Sequence, residues 1–474
     1  MDAYRRTKIV ATWGPALADE PRLRGAVRAG VNVFRLNSAH ATHEELAEAI
    51  PAIRKAADEE GQAVALLQDI QGPRMRTGEL AGGEVALEQD ALVVVAGDAE
   101  ASGEGLVAVP HPGFAADLRV GERILIADGT MVLRVESQGA ERVRARVIQG
   151  GRLGAHKGVN LPDSAISIPP LTDKDREDMA FGVQQGVDYV ALSFVRRRDD
   201  LLECRRLLHS LGGRSPIIAK IEHPEALTDL DGVLTASDGV MVARGDLGVE
   251  LSPERVPMAQ KHIIRRAVEM GVPVITATQM LESMISRPVP TRAEASDVAN
   301  AILDGTDALM LSAETAVGGY PIHAVETMAR IAVETEANSE PARFSYPTNE
   351  QGHLMAAHAI ALADDLKVDA LLVFTRSGHS AGLVSHQRPR APIFAMTTDA
   401  VVRRRLALIY GVTPVLADIA EGDSAVMVEY GLQTLLRRGL VEDGARVLVL
   451  GSSPALGRGL TNLITVRTVS RAGL

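Results

Sequence analysis

The sequence predicts an α/β fold: a (β/α)₈ TIM barrel, an all-β lid inserted into it, and a C-terminal open-sheet α/β domain. Three observations predict it. Eight short apolar runs recur, separated in several places by helical patterns. One long gap between the third and fourth runs has strand and turn character instead of helix. Beyond a polar stretch near residue 340, a second strand–helix alternation begins.

The eight runs are "TKIVATWG", "GVNVFRLN", "AVALLQDI", "VDYVALSFV", "PIIAKIE", "DGVMVARGD", "VPVITATQM" and "DALMLSAET". Nearly continuous apolar strands alternating with helices indicate a parallel sheet buried on both faces. Eight of them suggest closure into a barrel, although an open doubly wound sheet has the same local pattern. "TRAE" at Thr291–Glu294 has capping-box spacing and opens a helix that Gly305 is placed to end. The gap reads "EVALEQDALVVVAG", "ERILIADGTMVLRVE" and "RVRARVIQGG", which is β-rich with glycine turns. It marks residues 74–161 as an all-β insertion, with the main barrel spanning 1–73 and 162–340. "RFSYPTNEQGH" reads as a linker into a third domain, 341–474, carried by "VDALLVFTRSG", "APIFAMTT" and "ARVLVLGSS".

Length and charge narrow the function. A chain of 474 residues exceeds one core and implies two to four domains. The net charge of −11 argues against nucleic-acid or anionic-membrane partners, so an anionic ligand needs a local positive cluster. One cysteine, Cys204, excludes an internal disulfide and reads as core packing in a reducing, cytoplasmic setting. No apolar stretch approaches the roughly 18 residues of a membrane span, and the start lacks a signal-peptide core.

Barrel active sites lie at the carboxyl ends of the strands. Read there, the runs end in Arg35 and Asn37; Asp69; Lys220 and Glu222; Arg244, Gly245 and Asp246; Thr276, Thr278 and Gln279; Ser312 and Glu314. Residues two apart on a strand share a face, so Lys220 and Glu222 point together into the mouth. Asp246, from the neighbouring strand end, can approach Glu222, and two carboxylates at close range call for a cation between them. Mg²⁺ (or Mn²⁺) suits oxygen donors of this kind. With Lys220 and Arg35 supplying positive charge, the set fits phosphoryl transfer. A buried ion-pair network, Lys220 with Glu222 and Arg244 with Asp246, is the structural alternative.

These residues sit in motifs of a known family. "KIVATWGP", "NVFRLN", "KGVNLP", "DYVALSFVR", "IIAKIE", "DGVMVARGDLGVE", "PVITATQMLESMI", "PTRAEASDVANAILDGTDALMLSAETA" and "GGYP" resemble pyruvate kinase over nearly the whole chain. The resemblance implies that the insertion 74–161 is a β-barrel lid, and that the chain transfers phosphoryl from phosphoenolpyruvate to ADP, then protonates the enolate to pyruvate. It assigns Glu222 and Asp246 to Mg²⁺, and Arg35 and Lys220 to the phosphoryl group. Gly245, Asp246 and Thr278 go to the substrate carboxylate, with Thr278 near the proton-delivery face. Arg76, Lys157, His40 and Pro15 fall at the nucleotide positions, and a homotetramer is the family's usual assembly.

Two departures matter. Many family members hold K⁺ with motifs R-L-N-F-S-H and D-T-K-G-P-E, where this chain reads "RLNSAH" and "DIQGPR". Asn37 and Asp69 remain, but Ala39 and Ile70 replace two hydroxyl ligands and Arg74 replaces the glutamate. The chain resembles K⁺-independent members, with Arg74 as a substitute cation. In the third domain, "TRSGHSAG" resembles the family's effector-phosphate loop, making Thr375, Ser377, His379 and Ser380 candidates, with "LGSSPALGRGLTN" as the partner loop. An ordinary polar loop is the alternative there. For the whole chain, the alternatives are an effector-binding pseudoenzyme and a Mg²⁺-dependent enolate lyase.

Overall fold

In the computed structural model, eight parallel strands close into a barrel in the order 1-8-7-6-5-4-3-2. The structure describes residues 4–80, 83–111, 113–164, 166–341, 350–418, 424–451 and 461–471. The strands are Lys8–Thr12, Val33–Asn37, Ala65–Ile70, Tyr189–Leu192, Ile217–Ile221, Gly239–Ala243, Val274–Ala277 and Ala308–Leu311. Each corresponds to one apolar run, which excludes the open doubly wound sheet. Their side chains split with a period of two. Val10, Val33, Leu67, Ile218, Met241, Ile275 and Met310 fill the barrel interior, while Ile9, Phe34, Leu66, Ile217 and Leu309 pack outward against the helices.

That parity decides which strand-end residues can do chemistry. Ile218 faces inward, so Lys220 and Glu222 follow it into the mouth. Val33 leads to Arg35 and Asn37, and Leu67 leads to Asp69. Thr276 has the opposite parity: it is fully buried on the helix side and bonds Thr306 Oγ1 at 2.9 Å, a structural contact. Glu314 is also structural, its carboxylate accepting the N–H groups of Leu281 and Ser312.

The helix after strand seven forms as its caps predict. Thr291 and Glu294 make both bonds of the capping box, and Gly305 ends the helix at φ 102°. Cys204 is wholly buried, and burial pushes its thiol up to about 12, so it stays protonated and packs.

Between strands three and four the chain builds a separate β-rich body around Val95, Phe114, Leu118, Ile124, Leu133 and Val147. Its ladders form a six-stranded sheet and two two-stranded pairs; among the described residues they do not form one closed ring. Register shifts within the hairpin Met131–Gln138/Arg142–Gln149 bend its longest ribbon. The entering and leaving chains meet as a ribbon: Thr77 N donates to Lys157 O at 2.8 Å and Val159 N to Met75 O at 3.0 Å.

The C-terminal sheet has five strands, Val412–Leu416, Ile393–Thr397, Ala370–Phe374, Arg446–Gly451 and Leu463–Thr468, in that spatial order, the last antiparallel. It docks on the barrel floor. Leu408 plugs the inner core, Lys8 Nζ donates to Val412 O, and Arg404 and Arg388 pair with the buried Asp188 and Asp307. The stretch read as a linker falls largely at 342–349, outside the described residues.

Candidate active site

The mouth is organised around Lys220, which is buried and inward-facing. Its ammonium lies 2.9 Å from Glu222 Oε1 and 3.2 Å from Asp69 Oδ1, and donates to Ser193 Oγ at 2.7 Å. Asp69 in turn receives Arg35 Nε at 2.7 Å. Glu222 Oε2 accepts the Phe194 N–H at 2.7 Å. Four charged side chains from strands two, three and five thus form one network, pinned by the loop after strand four.

Burial and charge oppose one another in this cluster. Burial alone would lower the Lys220 pKa, but Asp69 and Glu222 outweigh it and hold the amine above its usual value. Burial works against the Asp69 carboxylate, and Lys220 and Arg35 overcome it, leaving Asp69 below its usual range. Burial raises Glu222; Lys220 opposes the rise and the charge of Asp246 adds to it. The influence of Asp246 on Glu222 places the two carboxylates in the same electrostatic neighbourhood.

Asp246 does not continue strand six. The strand ends at Ala243, and Arg244–Glu250 forms a short helix with Asp246 in its first turn. Arg244 pairs with Asp297 at 2.7 Å and not with Asp246. The ion-pair alternative therefore holds for Lys220–Glu222 and fails for Arg244–Asp246. Arg244 also grips the end of strand seven, its guanidinium donating to Thr278 O at 2.6 Å and to Ala277 O at 3.3 Å.

That grip holds an unfavourable backbone. Thr278 and Gln279 have φ of 69° and 54°. A β-branched residue in this region is strained, and such strain persists only where the surroundings enforce it. The turn reverses the strand's parity, bringing Thr278 Oγ1 within 2.8 Å of the Gly245 N–H, from which it accepts, while it donates to Ala277 O. A Cβ at Gly245 would meet nothing closer than Thr278 Oγ1 at 3.5 Å. Protein packing therefore does not demand glycine there: the Cβ side of Gly245 is uncrowded, while its amide is held by Thr278.

Asn37 and Asp69 are register partners on strands two and three. Asn37 Oδ1 is taken by the Ala39 N–H, and Ile70 lies in the outer, helix-facing core. The positive charge beside Asp69 comes from Arg35 and Lys220. Arg74, expected in this corner, instead has Asp128 of the lid at 3.4 Å and Asp246 at 3.6 Å as its ion partners. The reason is its position: it lies beyond Gly72, at the start of the ribbon leaving the barrel.

The residues at the nucleotide positions sit apart from this network. Arg76 bridges to Gly158 in the ribbon, Lys157 is its exposed neighbour, His40 lies exposed in the turn after strand two, and Pro15 is exposed at the start of a one-turn 3-10 helix after strand one. In the C-terminal domain, Thr375 Oγ1 accepts the Gly378 N–H at 2.9 Å, Ser377 lies against the His379 N–H, and Ser380 Oγ is 2.9 Å from Thr461 Oγ1. Most of the partner loop, 452–460, lies outside the described residues.

Ser193 is the functional candidate that sequence reading missed. It is the first polar residue after "YVAL", and the rule applied to the other strand ends would have found it. Ser312, noted at the end of strand eight, has a buried Oγ without a hydrogen-bond partner among the described residues.

A lidded parallel barrel with clustered ammonium, guanidinium and carboxylates at its carboxyl mouth is the architecture of an enzyme acting on a small anionic substrate. Comparison with known proteins specifies it. The family described as pyruvate kinase, barrel domain, matches residues 4–325, and its alpha/beta domain matches 353–467. The chain belongs to the pyruvate kinase family. It is 42% identical to the pyruvate kinase of Geobacillus stearothermophilus, over 98% of this chain and 81% of that one. It is 41% identical to that of Agrobacterium vitis, over 98% of each. The crystal structure of a pyruvate kinase from Cryptosporidium parvum superposes with a TM-score of 0.92 at 32% identity, covering 98% of this chain and 96% of the other. No helix among the described residues is long and apolar enough to cross a membrane.

Proposed function

We propose that this chain moves phosphoryl from phosphoenolpyruvate to ADP, using Mg²⁺ and without a requirement for K⁺. The observation that carries the reading is the inward Lys220, held charged between Glu222 and Asp69 beside Arg35. Glu222 and Asp246 offer hard oxygen donors and too few protein ligands to close a metal's shell, which fits Mg²⁺ completed by substrate oxygens. Held by Glu222 and Asp246, the ion would supply positive charge to the substrate's oxygens. Mn²⁺ suits the same donors.

Lys220 and Arg35 would hold the phosphoryl oxygens as charge spreads over them. The Gly245 and Asp246 amides with Thr278 would seat the carboxylate. The Thr278 hydroxyl proton is spent on Ala277 O. That supports proton delivery to the enolate by a chain through solvent and not by this hydroxyl alone. Arg76, Lys157, His40 and Pro15 would meet ADP, and closure of the lid over them would exclude water.

K⁺ independence rests on three features: Ile70 is turned into the outer core, Asp69 is already neutralised by two cations, and Arg74 stands at the mouth. Another cation there would be repelled. The C-terminal loop Thr375–Ser380 would take a phosphorylated effector. We place the protein in the cytoplasm, assembled as the family's homotetramer.

A coupled assay with phosphoenolpyruvate, ADP and Mg²⁺ tests the reading. Pyruvate should form at the same rate in K⁺-free, Na⁺-free buffer at matched ionic strength. No pyruvate at saturation would leave an effector-binding pseudoenzyme. A large drop without K⁺ would remove only the K⁺ claim. The intact Lys220 network disfavours the pseudoenzyme, and the lid with its ribbon cations disfavours an enolate lyase.

A further inference from the structure

The base of the lid contains a buried polar cluster that the phosphoryl-transfer chemistry does not use. Asn160, on the last short strand of the lid, donates through Nδ2 to Glu250 Oε1 at 2.6 Å. Glu250 closes the helix Arg244–Glu250, whose first turn carries Asp246. Nearby, the Arg196 guanidinium donates to the carbonyls of Ile166 and Ile168, on the chain returning from the lid, while its backbone N–H binds Asp200. Asn160, Glu250 and Arg196 are each at most 8% exposed.

Burying a carboxylate, an amide and a guanidinium is costly, and removing one partner leaves the others unsatisfied. The Asn160–Glu250 contact joins the lid side to the barrel side, and the Arg196 guanidinium ties the segment returning from the lid to the loop after strand four. The ribbon reached by Asn160 also carries Arg76 and Lys157, because Thr77–Lys157 and Met75–Val159 hydrogen bonds tie its two chains together. A fixed distance between Asn160 and Glu250 therefore fixes the ribbon's cations relative to the helix of Asp246.

We propose that Asn160, Glu250 and Arg196 form a latch that sets the angle of the lid ribbon against the Asp246 helix. They are positioning residues: they touch no substrate and act through where they hold Arg76 and Lys157. This rests on the phosphoryl-transfer reading for its kinetic consequence, but not for its structural one.

The test is a swap. Asn160→Asp sets two carboxylates face to face, while Asn160→Asp with Glu250→Gln restores one donor and one acceptor in exchanged positions. At pH 8, Asn160→Asp should raise the KM for ADP about tenfold, as expected for loss of one buried charged hydrogen bond. Phosphoenolpyruvate affinity, read by fluorescence of the lone Trp13 beside Arg35, should stay within about twofold, since that ligand sits on the barrel. Hydrogen exchange at the Thr77 and Val159 amides should accelerate. The double variant should recover both readouts. Asn160→Ala, which adds no charge, should shift both in the same direction by a smaller amount. Unchanged exchange in the single variants, or a double variant as impaired as Asn160→Asp, would overturn the latch. If the unmutated chain turns over no substrate, the functional reading fails while the exchange measurement still decides the latch.

Discussion

The barrel mouth and the Thr375–Ser380 loop both follow parallel strands and both offer groups suited to a phosphate, yet they are built oppositely. At the mouth, charge is buried and mutually compensated: Lys220 and Arg35 share Asp69, and Glu222 leans on Lys220. At the C-terminal loop the hydroxyls are committed to their own surroundings, Thr375 to Gly378 N–H and Ser380 to Thr461, and the loop carries no comparable buried charge network among the described residues. A preorganised charged site can stabilise a moving charge without rearranging. A loop of hydroxyls and backbone amides can cradle a resting anion and exchange it. If the C-terminal loop takes the proposed effector, the difference separates chemistry from sensing.

The largest effect should come from breaking the charged side. Lys220→Met is expected to lower kcat about 10²–10³-fold, the cost of losing one preorganised charge. It should also lower the melting midpoint, because Asp69 and Glu222 lose a buried counter-ion. Phosphoenolpyruvate binding, read by Trp13 fluorescence, should persist, and a fully active variant would end the comparison.

Next is Thr278. Thr278→Ala removes the acceptor for Gly245 N–H and should lower kcat/KM for phosphoenolpyruvate about tenfold, while Thr278→Ser should retain most of it.

Reversing charge at Arg74 sharpens the electrostatic half of the contrast. Arg74→Glu is expected to cut turnover roughly tenfold in K⁺-free medium, with recovery on adding K⁺. No response to K⁺ would detach Arg74 from cation replacement.

On the sensing side, inorganic phosphate should raise the melting midpoint by a few degrees in the presence of saturating phosphoenolpyruvate, by mass action on the folded state. Ser380→Asp should abolish that rise through like-charge repulsion.

The smallest effect is a pH dependence at the edge of the mouth. Burial raises Glu250 to about 7 from an ordinary 4.5, with Asn160 opposing the rise. Its folded pKa lies above the unfolded one. Stability from this group is therefore full below about 4.5 and is lost as pH rises through 7. Relative to Glu250→Gln, the unmutated chain should lose melting temperature between pH 5 and 8.

Much of the mouth is legible in the sequence because strand periodicity is a local property. Once eight runs are strands, parity sends Arg35, Asn37, Asp69, Lys220 and Glu222 to one side, whatever surrounds them. Ser193 obeys the same rule and escapes notice only when its strand is not followed to its end. Thr276 has the right position and the wrong parity. Asp246 reads as part of a strand that has already turned into a helix, and the partner of Arg244 is misjudged for the same reason.

Periodic apolar runs, capping residues such as Thr291 and Glu294, and motif spacing are written into neighbouring residues, so the chain's order alone determined the eight strands, the insertion and the pairing of Lys220 with Glu222, while closure of the strands into a barrel was decided by the structure. Tertiary structure alone decided where Arg74 reaches, how Arg244 forces Thr278 into a left-handed turn, and that Asn160 meets Glu250. Arg244 and Thr278 are 34 positions apart in the chain, and Asn160 and Glu250 are 90. Side chains so distant converge only through the packing of whole elements, and local propensity carries no information about that.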